Sequence, residues 1–504
     1  MRANAELSLK LRDLLGLAAL AGASFLINGY HPFSEDAETY LPGIEKLLNP
    51  RLFPVGSEYF EMHAHLTLFP RLIAYTVRFG HIPLAWALLL WQVISFFLFI
   101  LACWKLAQRI LPSPASCWAG VGLVVALSTM PVAGTSLYLM DPFLNPRNII
   151  AFAMVFAVLR VIERRYVQAS LFLLFGISVH PFMTAFAVTF CILMVGMDQW
   201  AEAGVTDALE AEAEATPAAP AILLASPFEG LFKRPSEAYD LVAANHRYQF
   251  LSRWTWYEML GAIAPVFIFW WFSAIARARQ LRNLELLSRA TMIYGAIYFA
   301  IGLIVSVPHR LEVISLLQPM RSLYLLYVLM LLIGGGLLGE YVLRNRVWRW
   351  VALFLPLSCG MCYAQRVLFP ESSHIELPGA RPANAWAQAF EWVRDNTPEQ
   401  AVFAIDPKYM TIDGEDFNGF RAIALRSQLA DYVKDSGVVE LFPQLGASWR
   451  AQVHAQTGID HFQLADFVHL KREYGASWVV LKQPGNPELD CPYKNRAVAV
   501  CRLP

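Results

Sequence analysis

Long apolar runs separated by short charged segments dominate the chain. Clear examples are Leu14–Ile27, Ile82–Trp104 and Ser322–Leu338. A helix needs about 20 apolar residues to cross a bilayer, and these runs come close to that length. The pattern therefore predicts a polytopic membrane protein. We expect crossings at about 14–30, 82–104, 115–137, 148–161, 167–197, 257–276, 290–307, 322–343 and 350–365.

The stretch 167–197 has several interpretations, because His180-Pro181 lies in the middle of it. Proline removes a backbone donor and commonly kinks or ends a helix. The stretch could form one kinked span, two half-length helices or a pair of short ones. We count nine crossings, and eleven if 167–197 splits and another apolar stretch dips into the membrane.

The positions of Lys and Arg predict the orientation, since these residues concentrate at the cytoplasmic ends of spans. Lys10 and Arg12 precede the first span, and Arg277 and Arg282 follow the span at 257–276. We therefore expect a cytoplasmic N-terminus. The segments expected outside are 31–81, 198–256 and the tail from about 370 to 504.

Composition removes several classes of function. The chain of 504 residues is 57% hydrophobic and only 16% charged, whereas a soluble domain has about 25% charged residues. A soluble enzyme, a disordered chain and a collagen-like chain are excluded. The 40 basic residues balance the 40 acidic ones, which gives no reason to expect nucleic acid as a partner. The compact single-chain design favours a bacterial inner membrane, with the C-terminal part in the periplasm.

The composition shifts near residue 370, which predicts two domains: 1–369 in the membrane and 370–504 outside it. The second has the pattern of a compact α/β domain, with a helix over Trp386–Asn396 and strands over Ala401–Ile405 and Trp478–Leu481. Cys491 and Cys501 lie outside the membrane and could form a disulfide there. No nucleophile elbow, phosphate loop or metal spacing is visible in this domain, which we interpret as an accessory domain. The fold class is thus a membrane all-α bundle of about 9–11 transmembrane helices with a C-terminal extramembrane α/β domain.

The first outer loop carries three close carboxylates, Glu35, Asp36 and Glu38. Neighbouring carboxylates near a low-dielectric surface repel one another, which raises the pKa of at least one of them. A carboxylate of that kind serves as a general base or metal ligand. The alternative is a helix start, with Ser34 as the cap and acids in the first turn.

The same loop offers a weaker metal candidate. Glu58, Glu61, His63 and His65 form a Glu/His cluster that could bind a divalent cation, although the spacing matches no specific closed site. The alternative is a solvated polar loop. We predict no certain cofactor, with a divalent cation as the candidate.

Polar residues at the outer ends of the later spans form a third group. Asp141 and Arg147 either line a cavity or hold a turn through an ion pair. His180 either bonds a backbone carbonyl freed by Pro181 or faces a cavity. His309, Arg310 and Arg321 form another outer cluster. Its arginines suit a phosphate or pyrophosphate clamp, with contact to phospholipid headgroups as the alternative.

Taken together, these residues resemble the GT-C-type membrane glycosyltransferases. This superfamily includes protein O-mannosyltransferases, oligosaccharyltransferase catalytic subunits and aminoarabinose transferases. The resemblance lies in the acidic first outer loop (EDAETYLP, 35–42), the later part of that loop (NPRLF, 49–53), and the outer domain that opens with Ala385-Trp386 and WVRDNTP (392–398). It covers the chain loosely from end to end. Such enzymes usually carry Asp-Glu or Asp-Asp where this chain has Glu35-Asp36.

The resemblance implies an enzyme that moves a sugar from a polyprenyl-phosphate donor to a glycan, lipid or protein acceptor at the outer face. It makes Asp36 the leading catalytic carboxylate, with Glu35 or Glu38 as its helper. The candidate substrate contacts are Tyr40, Asp141, Arg147, His180, His309, Arg310 and Arg321. Two other classes compete with it. If the protein were a transporter, we would expect two repeated halves in the sequence, and we see no such repeat. A non-catalytic envelope scaffold predicts that Asp36 is replaceable.

Overall fold

A computed structural model describes residues 10–214, 242, 245–306, 316–412 and 414–504. The described residues up to Phe369 form a helical bundle, and those that follow form a mixed α/β domain. This architecture confirms the fold class expected from the sequence. The helices of the bundle are α1 (Leu11–Asn28), α2 (Ala37–Leu48), α3 (Glu58–His65), α4 (Phe69–Gly80), α5 (Leu84–Ile110), α6 (Pro114–Ala126), α7 (Pro146–Ile162), α8 (Tyr166–Val179), α9 (Pro181–Glu214), α10 (Trp256–Ala278), α11 (Arg282–Ser306), α12 (Leu323–Leu338) and α13 (Val347–Leu368).

Within the described residues, seven helical segments are long and apolar enough to cross a membrane. α6 and α8 are shorter apolar helices of 13 and 14 residues, and α7 has 17 residues. All three pack against neighbouring helices. α7 is mostly buried, whereas α8 leaves Leu171 and Leu174 exposed. The seven segments are Leu11–Asn28, Leu84–Ile110, Pro181–Trp200, Trp256–Ala278, Arg282–Ser306, Pro319–Leu343 and Val347–Leu368.

The stretch 167–197 consists of two helices that meet at His180. α8 ends at Val179, and α9 begins directly at Pro181. Proline is favoured at the first position of a helix and disfavours helical geometry in the residue before it. His180 accordingly has φ −149° and ψ 83°, outside the helical region. The break reverses the chain, so α8 and α9 pack against each other.

This reversal bears on the position of residue 198. The carboxylate of Asp198 pairs with Arg164 at 2.7 Å and lies 3.7 Å from Arg282. Residue 198 therefore lies at the same end of the bundle as these two arginines, which the charge pattern assigns to the inner side; the outer loop 198–256 stays a prediction. The chain is back beside the C-terminal domain at Asn245, which donates a hydrogen bond to the Tyr432 carbonyl at 2.9 Å. Residues 215–241 lie outside the described part of the chain.

The C-terminal domain is built on a five-stranded sheet of order β2-β1-β3-β5-β4. β1, β2 and β3 are parallel, whereas β4 and β5 join as an antiparallel hairpin. A disulfide between Cys491 and Cys501 connects that hairpin. The helices and strands expected from the sequence lie within a few residues of their predicted bounds. The elements are α14 (Ala385–Asn396), β1 (Val402–Ile405), α15 (Phe420–Ala424), β2 (Ser427–Gln428), α16 (Lys434–Leu441), α17 (Gly446–Gln456), α18 (Leu464–Tyr474), β3 (Trp478–Lys482), β4 (Asp490–Lys494) and β5 (Val498–Arg502).

A buried charge cluster fastens the domain to the first loop of the bundle. Glu38, on α2, accepts hydrogen bonds from the backbone N–H groups of Arg421 and Ala422, both at 3.1 Å. The Arg421 guanidinium lies 3.4 Å from Glu38 and donates to both oxygens of Asp435 at 2.9 and 2.7 Å. Gly419 permits this close approach, because a Cβ there would lie 2.6 Å from a Glu38 oxygen. The loop and the domain therefore form one packed unit.

We expect Arg421→Met to destabilise the protein by about 3–5 kcal/mol, because it leaves Glu38 and Asp435 buried without their shared cation. Arg472→Met is the matched control, since Arg472 pairs with Glu473 in solvent and such pairs contribute at most about 1 kcal/mol. Denaturant titration of the purified protein in detergent measures both. Equal losses for the two variants would contradict the structural role of Arg421.

Candidate functional site

A cavity of about 700 Å³ lies where the bundle, the first loop and the C-terminal domain meet. One part of its wall is apolar and includes Leu66, Val179, Phe182 and Leu316. Another part is crowded with charge. The cavity therefore combines an apolar wall with a polar end, as sites for amphipathic ligands do. Its charged and titratable lining residues are Glu35, Asp36, Tyr40, Tyr138, Asp141, Arg147, His180, His246, Tyr248, Arg321, Lys434 and Glu440.

The first loop presents Asp36 to this cavity through a specific backbone turn. Glu35 has φ 55°, a left-handed conformation that is uncommon for a residue other than glycine. Its N–H donates to the Phe417 carbonyl of the C-terminal domain at 2.7 Å, which holds the turn. Asp36 then occupies the cap position of α2, although neither its side chain nor that of Ser34 caps the helix. The alternative interpretation of this loop as a Ser34-capped helix start is therefore wrong.

Helix periodicity explains which residues of this loop face the cavity. Asp36, Thr39 and Tyr40 are three and four positions apart, so they share one face of α2 and all line the cavity. Glu38 is two positions from Asp36 and faces the domain instead. The expectation that Glu38 assists Asp36 in the site is therefore wrong. Burial, opposed by Arg421, raises the pKa of Glu38 to about 8.

Two cations hold the Asp36 carboxylate. Arg147 Nη2 lies 3.0 Å from one of its oxygens, and Lys434 Nζ lies 3.2 Å from the other. Burial alone would raise the pKa of Asp36, but the charges of Lys434 and Arg147 outweigh it and hold this pKa well below its usual range. Lys434 also pairs with Glu35. Asp36 is thus ionised at neutral pH.

Asp141 and Arg147 form the ion pair expected across the outer loop, at 3.2 Å. Asn145 donates to the same Asp141 oxygen at 2.6 Å and caps α7 by accepting from the Asn148 N–H at 3.0 Å. Burial raises the pKa of Asp141, although Arg147 and Asn145 oppose the shift. Arg147 is therefore shared between a fixed carboxylate, Asp141, and the more exposed Asp36.

Arg321 differs from the other cations of the cavity. No carboxylate of the described residues lies within ion-pair distance of it, and its Nε is buried without a hydrogen-bond partner. Its guanidinium lies over the ring of Tyr248, 5.4 Å from the ring centroid, a cation–π arrangement. Within the described part of the chain, Arg321 is therefore a buried cation without a carboxylate in direct contact.

The remaining predicted residues fall into three groups. His180 lines the cavity beside the helix break, and its Nδ1 accepts from the Met183 N–H at 3.4 Å. Burial raises the pKa of Tyr40 to about 12, so this phenol stays protonated in the cavity wall. His309 and Arg310 lie outside the described residues. Of the metal candidates, Glu58, Glu61 and His65 are not among the described residues that line the cavity.

The structure brings two of the metal candidates near each other, with His65 Nε2 at 3.9 Å from Glu61 Oε1. Glu61 accepts a hydrogen bond from Ser57 at 2.9 Å and pairs with Lys46 at 3.3 Å, while the side chain of His63 is outside the described set. Among the described residues, no group of three or more His, Cys, Asp or Glu side chains is placed to hold a metal ion. A cation site at these four positions remains a sequence-based prediction.

Several cavity residues were missed because they come from the domain interpreted as accessory or from the segment before α10. Lys434 and Glu440 lie on α16, and His246 and Tyr248 lie in the segment before α10. Lys434 is 398 residues from Asp36 in sequence. The only sign of Lys434 in the sequence is a basic residue near an acidic one. That pattern is typical of any exposed helix.

No family model matches the chain, and no curated protein matches it. Among solved structures, it is similar to the archaeal oligosaccharyltransferase AglB from Archaeoglobus fulgidus, in complex with an inhibitory peptide and a dolichol-phosphate. The identity is 12% and the TM-score 0.36, over 93% of this chain and 69% of that one. Oligosaccharyltransferases are among the enzymes that the sequence resembles. At this TM-score residues cannot be matched one by one, so the roles below rest on the geometry of this chain.

We expect Asp36→Asn and Lys434→Met to be non-additive in stability, with a coupling of about 0.5–3 kcal/mol, because each removes one charge of a single contact. Unfolding of the two single variants and the double variant in detergent measures this coupling. The control cycle pairs Asp36→Asn with Lys482→Met, since Lys482 binds Asp406 and Asp460 elsewhere in the domain. Additivity in both cycles would show that the Asp36–Lys434 contact contributes nothing.

Proposed function

We propose that this protein is a membrane glycosyltransferase that moves a sugar from a polyprenyl-phosphate donor to an acceptor at the face that carries the C-terminal domain. The observation that carries the proposal is the meeting of an ionised carboxylate, Asp36, and a buried arginine, Arg321, that has no carboxylate in contact among the described residues, in one cavity with an apolar wall. The AglB structure is a complex with a dolichol-phosphate, a lipid phosphate of the same chemical class as this donor. The acceptor class is a glycan, a lipid or a protein.

The donor phosphate has a natural place near Arg321. Arginine recognises phosphate oxygens through paired, charge-assisted hydrogen bonds, and Arg321 Nε has no hydrogen-bond partner among the described residues. The apolar wall formed by Leu66, Val179, Phe182 and Leu316 would accommodate the first isoprene units of the lipid. The sugar would then lie between the phosphate and Asp36. Tyr40 and His180, on the same cavity wall, are the proposed sugar contacts.

Asp36 is the proposed general base. The acceptor hydroxyl oxygen attacks the anomeric carbon and forms the new glycosidic bond, while its proton passes to the Asp36 carboxylate. The bond between the anomeric carbon and the phosphate oxygen breaks, and its electron pair leaves with the polyprenyl phosphate. Arg321 and Lys434 stabilise the charge that develops there. A single displacement of this kind inverts the anomeric configuration.

Because its pKa is low, Asp36 is a weak base before substrate binds. Binding of the donor raises this pKa. A bound phosphate attracts Lys434 and Arg147, the two cations that lower the pKa of Asp36. As their charge is shared with the phosphate, the pKa of Asp36 moves back toward that of an ordinary carboxylate. Asp36 is thus a stronger general base with the donor in place than without it.

We expect folded Asp36→Asn to lose about 10²- to 10⁴-fold in kcat, the contribution typical of a general base. Transfer from labelled polyprenyl-phosphate hexoses and pentoses in membranes measures this. The control is Asp490→Asn, since Asp490 is exposed on β4 and pairs only at the surface with Arg502; it should match the wild type. Wild-type activity in folded Asp36→Asn would place the base elsewhere. A wild type that uses no donor of the panel would contradict the proposed function.

We expect Arg321→Met to raise the KM for the donor by about 10- to 100-fold, the range for a charge-assisted hydrogen bond lost from a buried site, and Arg321→Lys to recover part of that loss. Steady-state kinetics against donor concentration measure it. Arg253→Met, at an exposed arginine before α10, is the control and should leave the KM unchanged. An unaltered donor KM in Arg321→Met would remove Arg321 from the phosphate site.

A further inference from the structure

The turn before α12 carries a second unsatisfied polar group in the wall of the cavity. Gln318 precedes a 3₁₀ turn over Pro319–Ser322 and lines the cavity together with Arg321. The Oε1 atom of Gln318 is buried and has no hydrogen-bond partner among the described residues. A buried acceptor without a donor is unfavourable, and such groups are uncommon in folded proteins. In the wall of a binding cavity, this one is explained by a ligand that donates to it.

The backbone of the turn brings Gln318 and Arg321 to the same cavity. Gln318 has φ 44° and ψ 56°, a left-handed conformation that is uncommon for a residue other than glycine. The Arg321 N–H donates to the Gln318 carbonyl at 2.9 Å and closes the turn. Residues three apart lie above one another in a 3₁₀ turn. The amide of Gln318 and the guanidinium of Arg321 are therefore neighbours in the wall.

Packing against α11 holds this turn in place. Met320 is buried, and a Cβ at Gly302 of α11 would lie only 2.6 Å from the Met320 sulfur. The backbone that carries Gln318 is thus fixed by a close contact. The last torsion of a glutamine side chain is broad, so the amide oxygen can turn toward a ligand without any change in the turn.

The two side chains together define the chemistry of the ligand. The Arg321 guanidinium carries only donors and a positive charge, which suits a phosphate. The Gln318 oxygen only accepts, so it needs an O–H or N–H group. An ionised lipid phosphate has no such hydrogen to offer, whereas a sugar attached to that phosphate has several. The ring substituent closest to the phosphate is the group on C2 of the sugar.

The hydrogen bonds of Gln318 separate this role from a structural one. The turn is closed through the backbone carbonyl of Gln318, not through its side chain. An apolar side chain of similar length would leave that backbone bond intact and would remove an unsatisfied acceptor. If the amide served only the fold, its loss would instead destabilise the protein.

We propose that Gln318 selects the donor by accepting a hydrogen bond from the group on C2 of its sugar, a hydroxyl or an amide N–H, while Arg321 holds the adjacent phosphate. The substrate class is then a polyprenyl-phosphate sugar with a hydrogen-bond donor on C2, and 2-deoxy sugars are poor substrates. This inference rests on the proposed function for the identity of the ligand, and it adds the feature by which the site recognises the sugar.

Binding of four probes to the full-length protein in detergent tests the proposal. The probes are polyprenyl phosphate, its glucose and mannose conjugates, and its 2-deoxyglucose conjugate, which is the 2-deoxy form of both sugars. We expect the wild type to bind the better of the two hydroxylated conjugates about 10-fold more tightly than the 2-deoxy conjugate, the factor for one hydrogen bond. Gln318→Met should reduce this preference to less than about twofold and bind polyprenyl phosphate as the wild type does.

Two further variants serve as references for this measurement. Arg321→Met should weaken the binding of all four probes, because it removes the phosphate contact. Gln400→Met, at an exposed glutamine before β1, should change none of them. Denaturant titration should show that Gln318→Met is at least as stable as the wild type, since it replaces an unsatisfied acceptor with an apolar group.

Three results would overturn the proposal. One is equal binding of the hydroxylated and 2-deoxy conjugates by the wild type. Another is a Gln318→Met variant that weakens polyprenyl phosphate as much as the conjugates, which would make Gln318 a phosphate contact. The third is a marked loss of stability in Gln318→Met, which would assign the amide to the fold. A wild type that shows the expected preference but transfers no sugar would contradict the proposed function and leave the role of Gln318 in sugar recognition standing.

Discussion

The carboxylate of Asp36 lies between one cation of the bundle and one of the C-terminal domain, and the geometry of the site depends on that shared contact. Arg147 is held by its ion pair with Asp141 and by its position in the capped first turn of α7. Lys434 is held by its position at the start of α16. If Arg147 or Lys434 moved away, the other cation would face the Asp36 carboxylate alone. The carboxylate would then be only partly neutralised where little water reaches it, which is unfavourable. The two domains therefore have one arrangement in which all three charges are satisfied.

Burying so many charges does not favour stability by itself. A buried ion pair often contributes no more than well-packed apolar side chains of the same size, so the network at Asp36 is better explained by chemistry than by folding. The Glu38–Arg421–Asp435 cluster has the opposite character, since it lies away from the cavity and fastens the loop to the domain. These neighbouring clusters give α2 one face for structure and one for the site.

The sequence predicted most of the bundle and about half of the site. Apolar runs located the spans, and polar residues at their outer ends identified Asp36, Tyr40, Asp141, Arg147, His180 and Arg321, all of which line one cavity. From the sequence, Glu38 was expected in the site beside Asp36, and this was wrong. Three acids this close in sequence cannot be assigned to helix faces until the first residue of α2 is known. Lys434, Glu440 and His246 could not be predicted, since only tertiary packing brings residues hundreds of positions apart into one wall. The number of helices in 167–197 depends on whether Pro181 kinks one helix or separates two. The local sequence is compatible with both.

The central claim is that this cavity binds a lipid-linked phosphate beside Arg321 and within reach of Asp36. The most direct measurement is a cryo-electron-microscopy map of the protein with a short-chain polyprenyl phosphate. The account predicts a phosphate within about 3 Å of the Arg321 guanidinium, with the isoprene chain along the apolar wall and Lys434 shifted from Asp36 toward the phosphate. A lipid phosphate bound elsewhere, with the cavity and the Asp36 contacts unchanged, would contradict it.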